Sequence, residues 1–247
     1  MKPAVVKQRL DRLLVDTGLA ESREKAQALI MAGEVLIDGQ KAAKPGQMVV
    51  IDARIEVTAR PRYVSRGGLK LEGALTEFGI DAQGKVCADF GSSTGGFTDC
   101  LLQAGAVRVH AIDVGTAQLD WKLRSDARVA VHENMHGRDV TKADLGEEVD
   151  LAVCDVSFIS ATQMLPAMLR VLKQEGGELV ILVKPQFEVG RGQVGKGGIV
   201  RDPELHRMAC DKVRAAVEAA GIMEIRMMES PITGAEGNRE FLLYGHR

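Results

Sequence analysis

The sequence lacks long apolar runs and paired cysteines, and both absences exclude whole classes of protein. Its purely apolar runs extend over only a few residues, as at 179–183, whereas a membrane-spanning helix needs about 20. The first seven residues contain two lysines and no apolar core of a signal peptide. The four cysteines include no CxxC pair and no Cys/His set at zinc spacing: Cys87, Cys100, Cys154 and Cys210. We therefore expect a soluble, cytoplasmic protein without a metal site, whose cysteines are small buried apolar side chains in a reducing compartment.

The net charge of −2 conceals an uneven distribution along the 247 residues. Residues 1–70 contain 13 Lys and Arg against 8 Asp and Glu, a net of +5, and residues 71–247 contain the remaining 19 against 26, a net of −7. With 45% hydrophobic and 27% charged residues, the chain has a globular rather than a disordered composition. A basic segment joined to a larger acidic one is typical of a module that meets a polyanion, but it equally suits a merely solvated surface.

Residues 8–58 have the pattern of a small α+β unit. Apolar residues recur at helical spacing from Leu10, and a second helix is predicted between Ser22, a good N-cap, and Gly33, a good C-terminal glycine. Asp38-Gly39 predicts a hairpin turn. Short strands are predicted at 35–37, 48–51 and 55–57.

Three segments of this unit resemble, in order, the S4-type RNA-binding domain of ribosomal protein S4 and of pseudouridine synthases: RLDRLL at 9–14, AESREKA at 20–26 and AGEVLIDG at 32–39. The resemblance implies that four side chains face RNA phosphates: Arg9, Arg12, Arg23 and Lys25. Residues 59–67 have the composition of a linker that also contacts RNA backbone, through Arg60, Arg62 and Arg66. Ordinary solvated helix charges stay the alternative. We expect an S4-type domain at 1–58, the linker at 59–67 and a second domain at 68–247.

From residue 85 onward, apolar strands alternate with helices, which is typical of a mostly parallel, doubly wound α/β sheet of Rossmann-like type. Strands are predicted at 86–90, 107–112, 129–131, 151–154, 179–183, 223–228 and 241–244. Helices are predicted at 69–78, 97–103, 161–173 and 204–220. Because ligands of this architecture bind at the carboxyl ends of strands, the residues that follow each strand are candidates for a site.

A glycine-rich turn, DFGSSTGGF at 89–97, follows the first of these strands and departs from the GxGxxG of NAD-binding proteins. Glycines let the backbone approach a ligand, and an acid before the first glycine suits a cationic amino-acid group such as that of S-adenosylmethionine (SAM). Asp113, 22 residues after Gly91, has the spacing of a carboxylate that accepts ribose hydroxyls. Asp139 is a candidate for the adenine amino group. The predicted cofactor contacts are Asp89, Gly91, Ser92, Ser93, Gly95, Gly96, Phe97, Asp113, Asp139 and Asp155.

Each of these signals has an alternative. The turn at 89–97 fits a ligand-free loop, Asp113 a helix cap, and Asp139 a loop aspartate without a role. His132 and His136 are four residues apart but have no third ligand nearby in the sequence, so they predict no metal site.

Four charged residues flank the strand ends of the second domain: Lys70, Asp155, Lys184 and Glu240. Asp155 and Lys184 directly follow apolar strands, Glu240 starts the last strand, and Lys70 opens the first helix. A lysine directly after four apolar residues is costly unless it is paired or used. Any one of the four fits a structural ion pair, but all four at one edge indicate a catalytic cleft.

Five segments of the second domain resemble the TlyA family, once described as haemolysins, whose catalytic domain is of the FtsJ-like rRNA methyltransferase type: YVSRGGLKL at 63–71, DFGSSTGGF at 89–97, VKPQFE at 183–188, GKGG at 195–198 and GNRE at 237–240. The resemblance implies SAM-dependent 2′-O-methylation of cytidine in 23S rRNA, with 16S rRNA as a further candidate. It places the family's Lys-Asp-Lys-Glu tetrad on Lys70, Asp155, Lys184 and Glu240.

The implied chemistry needs deprotonation and alignment of a ribose hydroxyl, because the sulfonium methyl of SAM is already activated and needs no metal. Lys184 is the candidate base, and we expect Asp155 and Glu240 to fix its orientation. Orientation of the hydroxyl or stabilisation of the developing alkoxide by Lys184 stays the alternative. The glycine-rich stretch 187–200 predicts a mobile cover that either clamps RNA or closes over SAM.

Other functions fit the sequence less well. An RNA-binding or ribosome-assembly factor with a vestigial cofactor fold is opposed by the complete tetrad and glycine turn. A cytolysin needs an amphipathic or membrane-inserting segment, which the sequence lacks, and an NAD oxidoreductase needs the missing GxGxxG. The chain ends seven residues after Glu240, which resembles the family's short form, associated with the large ribosomal subunit. The modified nucleotide and the oligomeric state stay open.

Overall fold

The computed structural model describes residues 6–58 and 62–247. Arg60, one of the predicted RNA-contacting arginines, lies outside the described residues. The chain divides into two compact units between Arg62 and Tyr63, a smaller one before this point and a larger one after it. Within the described residues no helix combines the length and the apolar character needed to cross a membrane.

The smaller unit packs two helices against short antiparallel strands, which confirms the predicted α+β arrangement. Its elements are β1 (Lys7–Arg9), α1 (Leu10–Asp16), α2 (Arg23–Met31), β2 (Val35–Ile37), β3 (Gln40–Lys41), β4 (Met48–Val50) and β5 (Ile55–Val57). β2 pairs with both β3 and β5, and β1 pairs with β4. Ser22 caps α2 by accepting a hydrogen bond from the Lys25 amide at 3.3 Å. The helix ends at Met31, before Gly33. β1 was not predicted because its residues are all polar.

The larger unit contains one seven-stranded sheet with helices around it. Its elements are α3 (Gly67–Phe78), β6 (Val86–Phe90), α4 (Gly96–Gln103), β7 (Arg108–Ile112), α5 (Trp121–Arg124), β8 (Val129–His132), α6 (Lys142–Leu145), β9 (Leu151–Cys154), α7 (Leu165–Val171), β10 (Glu178–Val183), α8 (Pro185–Glu188), α9 (Pro203–Ala219), β11 (Met223–Glu229) and β12 (Phe241–His246). The strand order is β11-β12-β10-β9-β6-β7-β8. β8, β7, β6, β9 and β10 are parallel, and β12 and β11 add an antiparallel edge. The doubly wound α/β prediction is therefore confirmed, and all four cysteines are buried and free.

Local differences from the predicted elements have simple causes. α5, α6 and α8 contain four residues each, too few to show a 3.6-residue period. The helix predicted at 161–173 is a 3₁₀ turn (Ala161–Gln163) followed by α7, because Pro166 lies in the first turn of α7 and favours a helix start there.

The first helix of the larger unit begins at Gly67 rather than at residue 69. A Cβ at Gly68 would lie 2.2 Å from Cγ of the buried Tyr63. Gly67, the last residue of the predicted linker, therefore belongs to α3. Gly68 is needed next to it because only a residue without a side chain lets the helix approach Tyr63 so closely.

Four parallel strands end together at one edge of the sheet. The register pairs Phe90 with both Ile112 and Cys154, and Ile181 with Cys154. β12 runs the other way and starts at this edge, since Phe241 pairs with Val183. The next residues outward on these strands are Gly91, Asp113, Asp155, Lys184 and, before β12, Glu240. The fold thus brings the predicted functional residues to one place.

Candidate active site

The glycine-rich turn after β6 is shaped by close backbone approaches. Gly91 has φ of +84°, and a Cβ there would lie 2.6 Å from the carbonyl oxygen of Asp155. Gly96 lies against the start of α3, where a Cβ would meet the Ser65 Oγ at 2.3 Å. The turn is therefore held between two strand ends and a helix, with its backbone exposed to the space in front of the sheet.

Asp113 extends from the end of β7 toward this turn and is held by backbone amides. Its Oδ2 accepts a hydrogen bond from the Ser93 N–H at 2.9 Å, and its Oδ1 accepts one from the Gly115 N–H at 2.7 Å. A carboxylate fixed by two N–H groups still has lone pairs for a ligand's hydroxyls.

Two cavities of about 400 and 410 Å³ lie in front of the turn. The first has largely apolar walls with two carboxylates, Asp113 and Asp155, and is also lined by Ile112, Val114, Gln118, His136, Gly137, Arg138, Val156, Ile159 and Met164, among others. The second is polar and is lined by Ser65, Arg66, Gly67, Lys70, Ser92, Thr94, Gly96, Phe97 and Lys184, among others. Both cavities share Gly91, Ser93, Asp155 and Ser157 in their walls. They therefore meet at the glycine turn.

The four tetrad residues come together as two ion pairs. Lys70 Nζ lies 2.6 Å from Glu240 Oε2, and Lys184 Nζ lies 2.5 Å from Asp155 Oδ1. Lys184 also donates a hydrogen bond to the Ser157 Oγ at 2.9 Å. Lys70, Lys184 and Glu240 are buried, so that each charge depends on its partner. We had expected Glu240 to orient Lys184, but it contacts Lys70 instead.

A third cavity, of about 450 Å³, opens on the other side of the tetrad. Lys70, Lys184 and Glu240 line it, together with the aromatic rings of Phe158 and Phe187, whose centroids are 5.4 Å apart. Phe158 is 93% exposed and has φ of +67°. A non-glycine residue in this left-handed region is strained, so the fold holds this ring outward at a conformational cost.

The predicted mobile cover forms part of the third cavity. Val194 and Gly198 lie in its wall. The buried Asn238 holds this segment, because its Oδ1 accepts from the Val200 N–H and its Nδ2 donates to the Gly198 carbonyl, both at 2.9 Å. The sequence did not lead us to Asn238 as a functional residue, although it lies within the GNRE segment that carries the family resemblance.

Seven of the predicted cofactor residues line the first two cavities: Gly91, Ser92, Ser93, Gly96, Phe97, Asp113 and Asp155. Asp89, Gly95 and Asp139 do not line either. Gly95 faces Leu119 and Leu123. Asp139 is exposed at the end of a 3₁₀ turn (Gly137–Asp139), and its neighbours Gly137 and Arg138 face the first cavity instead.

Asp89 supports the turn from beneath. It is fully buried, and its Oδ2 accepts a hydrogen bond from the Thr98 Oγ at 2.7 Å. Burial raises the pKa of Asp89 to about 7, and the nearby Asp155 charge acts in the same direction. Its Oδ1 is buried and has no hydrogen-bond partner, so the direct contact with a cationic group that we expect for Asp89 stays a prediction.

The predicted RNA contacts of the smaller unit fall into two groups. Arg9 and Arg23 both donate to the buried Asp11 carboxylate, at 2.8–3.0 Å. The hydrogen bond from Arg9, with smaller contributions from Gln27 and Arg23, holds the pKa of Asp11 well below its ordinary value. Arg12 and Lys25 are exposed. Arg62, the last residue of the smaller unit, is also exposed. In the larger unit Arg66 is exposed and donates to the Thr233 carbonyl at 3.0 Å.

Across 6–58 and 62–247, no group of three or more His, Cys, Asp or Glu residues has an arrangement that would hold a metal ion. His132, one of the two histidines considered above, contacts His110: the distance between His132 Nε2 and His110 Nδ1 is 3.0 Å.

Comparison with known proteins gives two family matches. The model of the FtsJ-like methyltransferases matches residues 63–247, and that of the S4 domain matches residues 8–55. The chain is 45% identical over 238 residues to the 16S/23S rRNA (cytidine-2′-O)-methyltransferase TlyA of Mycobacterium tuberculosis, covering 96% of this chain and 88% of that protein. It is 34% identical over 242 residues to the 23S rRNA (cytidine-2′-O)-methyltransferase TlyA of Campylobacter jejuni, covering 90% and 93%. A solved structure of a Streptococcus thermophilus protein described as a hemolysin is 43% identical, with a TM-score of 0.75 and coverage of 99% of this chain and 90% of that one.

Proposed function

The chain belongs to the TlyA family of FtsJ-like methyltransferases with an S4 domain, and from that membership we propose that it transfers the methyl group of SAM to the 2′-hydroxyl of a cytidine in ribosomal RNA. The observation that carries the proposal is the pair of buried ion pairs, Lys70–Glu240 and Lys184–Asp155, at the edge where the polar and apolar cavities meet. A ribosomal substrate would place the reaction in the cytoplasm.

The first two cavities fit the parts of SAM. The apolar walls of the first suit an adenine ring, and the Asp113 carboxylate in the same cavity offers acceptors for ribose hydroxyls. Gly91 lines both cavities with its backbone, and its lack of a side chain lets the Asp155 carbonyl lie close behind it. The polar second cavity suits the amino-acid portion. When bound, SAM supplies an electrophilic methyl group on a sulfonium.

The position of Lys184 between two cavities supports a role for its amine at the ribose hydroxyl. It lines both the second and the third cavity, so its amine separates the space for the cofactor from the space on the far side. Asp155 and Ser157 fix the amine in position. We assign to Lys184 the removal of the hydroxyl proton, with orientation of the hydroxyl as the alternative that its ion pair also supports.

The third cavity is suited to the target nucleotide. Phe158 presents an almost fully exposed ring beside Lys184. Bases that are drawn out of a helix stack on such rings. Lys70, held by Glu240, adds a cation at the cavity floor. The basic residues of the smaller unit supply the sequence-independent attraction to phosphates.

The test is transfer of tritium from methyl-labelled SAM to isolated ribosomal subunits, followed by mapping of the labelled ribose. We expect label at one cytidine 2′-oxygen of 23S rRNA, with the small subunit as a second arm because the two relatives differ in their 16S activity. Label on a base, or no label in either subunit, would contradict the proposal. RNA binding without SAM binding in calorimetry would favour a non-enzymatic RNA-binding factor instead.

A further inference from the structure

The carboxylate of Glu188 is buried at the end of α8 and accepts hydrogen bonds from two other segments. Its Oε1 accepts from the Ala161 N–H at 2.7 Å, and its Oε2 accepts from the Ser160 Oγ at 2.5 Å. Lys212, on α9, donates to the same Oε2 at 2.9 Å. The side chain of Glu188 is 1% exposed, so these donors replace the water that a carboxylate otherwise needs.

These contacts connect two segments that form the active site. Lys184 is the residue before α8, and Glu188 ends this four-residue helix. The 155–160 loop runs alongside α8: Ser157 contacts Lys184 near one end, and Ser160 contacts Glu188 near the other. The loop and the helix are therefore attached at two points.

The 155–160 loop needs such an attachment. It contains the Lys184 partners Asp155 and Ser157, and it holds Phe158 in the strained left-handed region with its ring in solvent. Strained backbone persists only where the surrounding structure holds it. Glu188 fastens the loop just after Phe158, at the start of the 3₁₀ turn Ala161–Gln163.

We propose that Glu188 is a positioning residue for methyl transfer: it holds the 155–160 loop against α8 so that Ser157 and Asp155 keep the Lys184 amine in place. This inference rests on the proposed function. Glu188 itself is not among the residues that line the three cavities described above, so its action on the reaction passes through Lys184 and the loop.

The test variant is Glu188→Gln, which has nearly the same volume. Its amide oxygen still accepts from Ala161, but its NH₂ group cannot accept from Ser160 or Lys212. We expect kcat to fall about tenfold, since small displacements of positioned groups cost up to about 10²-fold, while SAM affinity stays unchanged. Deuterium exchange of the 156–162 amides should accelerate about tenfold, the scale of one lost hydrogen bond to a charged group.

Lys212→Met is the matched control. It removes the ion pair, together with the bonds from Lys212 to the Ser160 Oγ and to the Glu188 carbonyl, but leaves the Ser160 and Ala161 donors to the carboxylate. Because Lys212 is half-exposed, exchange and kcat should stay within about twofold of the wild type. Ser157→Ala provides the second readout. Because Glu188 acts through the Ser157–Lys184 contact, Glu188→Gln should lower kcat little further in a Ser157→Ala background.

Unchanged exchange in Glu188→Gln would overturn the proposal, and so would faster exchange with an unchanged kcat. Equal effects of Lys212→Met and Glu188→Gln would show that packing against α9 is what matters, and fully multiplicative effects with Ser157→Ala would show a purely structural role. A wild-type chain that methylates no ribosomal RNA would contradict the proposed function. The exchange data would then still decide whether Glu188 holds the loop.

Discussion

Replacement of Lys184 by alanine should remove most of the methyl transfer while the fold and cofactor binding persist. The Lys184 amine contacts Asp155 at 2.5 Å and Ser157 at 2.9 Å, and we assign neither SAM binding nor RNA binding to the amine. A positioned base contributes about 10²–10⁴ in rate, which corresponds to about 3–5 kcal/mol of activation free energy at 1.36 kcal/mol per tenfold change.

The stability cost of this variant should be moderate. Removing one partner of a fully buried ion pair costs about 3–5 kcal/mol. The Asp155 side chain, however, is 20% exposed and borders two open cavities, so water can replace the amine and the cost should lie below that range. Lys173→Ala is the matched control, because Lys173 pairs with Asp150 at 2.5 Å just before β9, at the opposite edge of the sheet. It should leave turnover unchanged.

Lys184→Arg separates the two possible roles of the amine. Guanidinium keeps the positive charge but stays protonated and cannot accept the hydroxyl proton. We therefore expect no rescue in single-turnover transfer of tritiated methyl groups to large ribosomal subunits, with SAM affinity followed by calorimetry. Near-normal turnover of Lys184→Arg would refute the assignment of Lys184 as the base and leave it the role of a fixed positive charge.

Asp113→Ala should weaken SAM binding by about 1–3 kcal/mol through the loss of hydrogen bonds to the ribose; an unchanged calorimetric Kd would mean that Asp113 only holds the turn. Arg12→Ala and Lys25→Ala should each reduce the slope of RNA affinity against salt concentration by about one unit and leave SAM affinity intact. Arg54→Ala is the control: Arg54 pairs with Glu56 in the same unit, and its loss should leave the slope unchanged. Burial raises the pKa of Asp89 from 3.8 to about 7. Between these pH values Asp89 keeps its proton in the folded state and loses it in the unfolded state. The free energy of unfolding therefore falls as the pH rises from about 4 to about 7. Asp89→Asn should remove this fall, measured by denaturant unfolding at pH 4 and pH 8; the same loss of stability in the variant would assign it to other groups.

The strand ends of the larger unit could be predicted from the sequence because each apolar run stops at a residue that cannot belong to it. Asp113, Asp155 and Lys184 each follow such a run, and parallel strands that end in register bring such residues to one edge. The position of the site can therefore be predicted from the alternation of apolar runs and charged residues in the sequence.

The partners within the site could not be predicted in the same way. The sequence suggested that Glu240 orients Lys184, but it pairs with Lys70, because that choice depends on how α3 packs against the start of β12. Likewise the sequence suggested Asp139, whereas the backbone of a 3₁₀ turn points its neighbour Arg138 toward the first cavity. Such choices depend on side-chain directions over a few ångströms, and residue spacing does not encode them.

The pairing within the tetrad also determines where RNA must be attracted. Two lysines and two carboxylates in contact carry no net charge, so the catalytic centre exerts little long-range pull on a polyanion. The charge that draws RNA must then lie elsewhere, and the sequence concentrates it in residues 1–70, at a net of +5 against −7 for the rest of the chain. Capture and catalysis thus use different charges. Neutralising the exposed arginines of the smaller unit should lower the association rate with ribosomal subunits and its salt dependence, and should leave the single-turnover rate at saturating RNA unchanged.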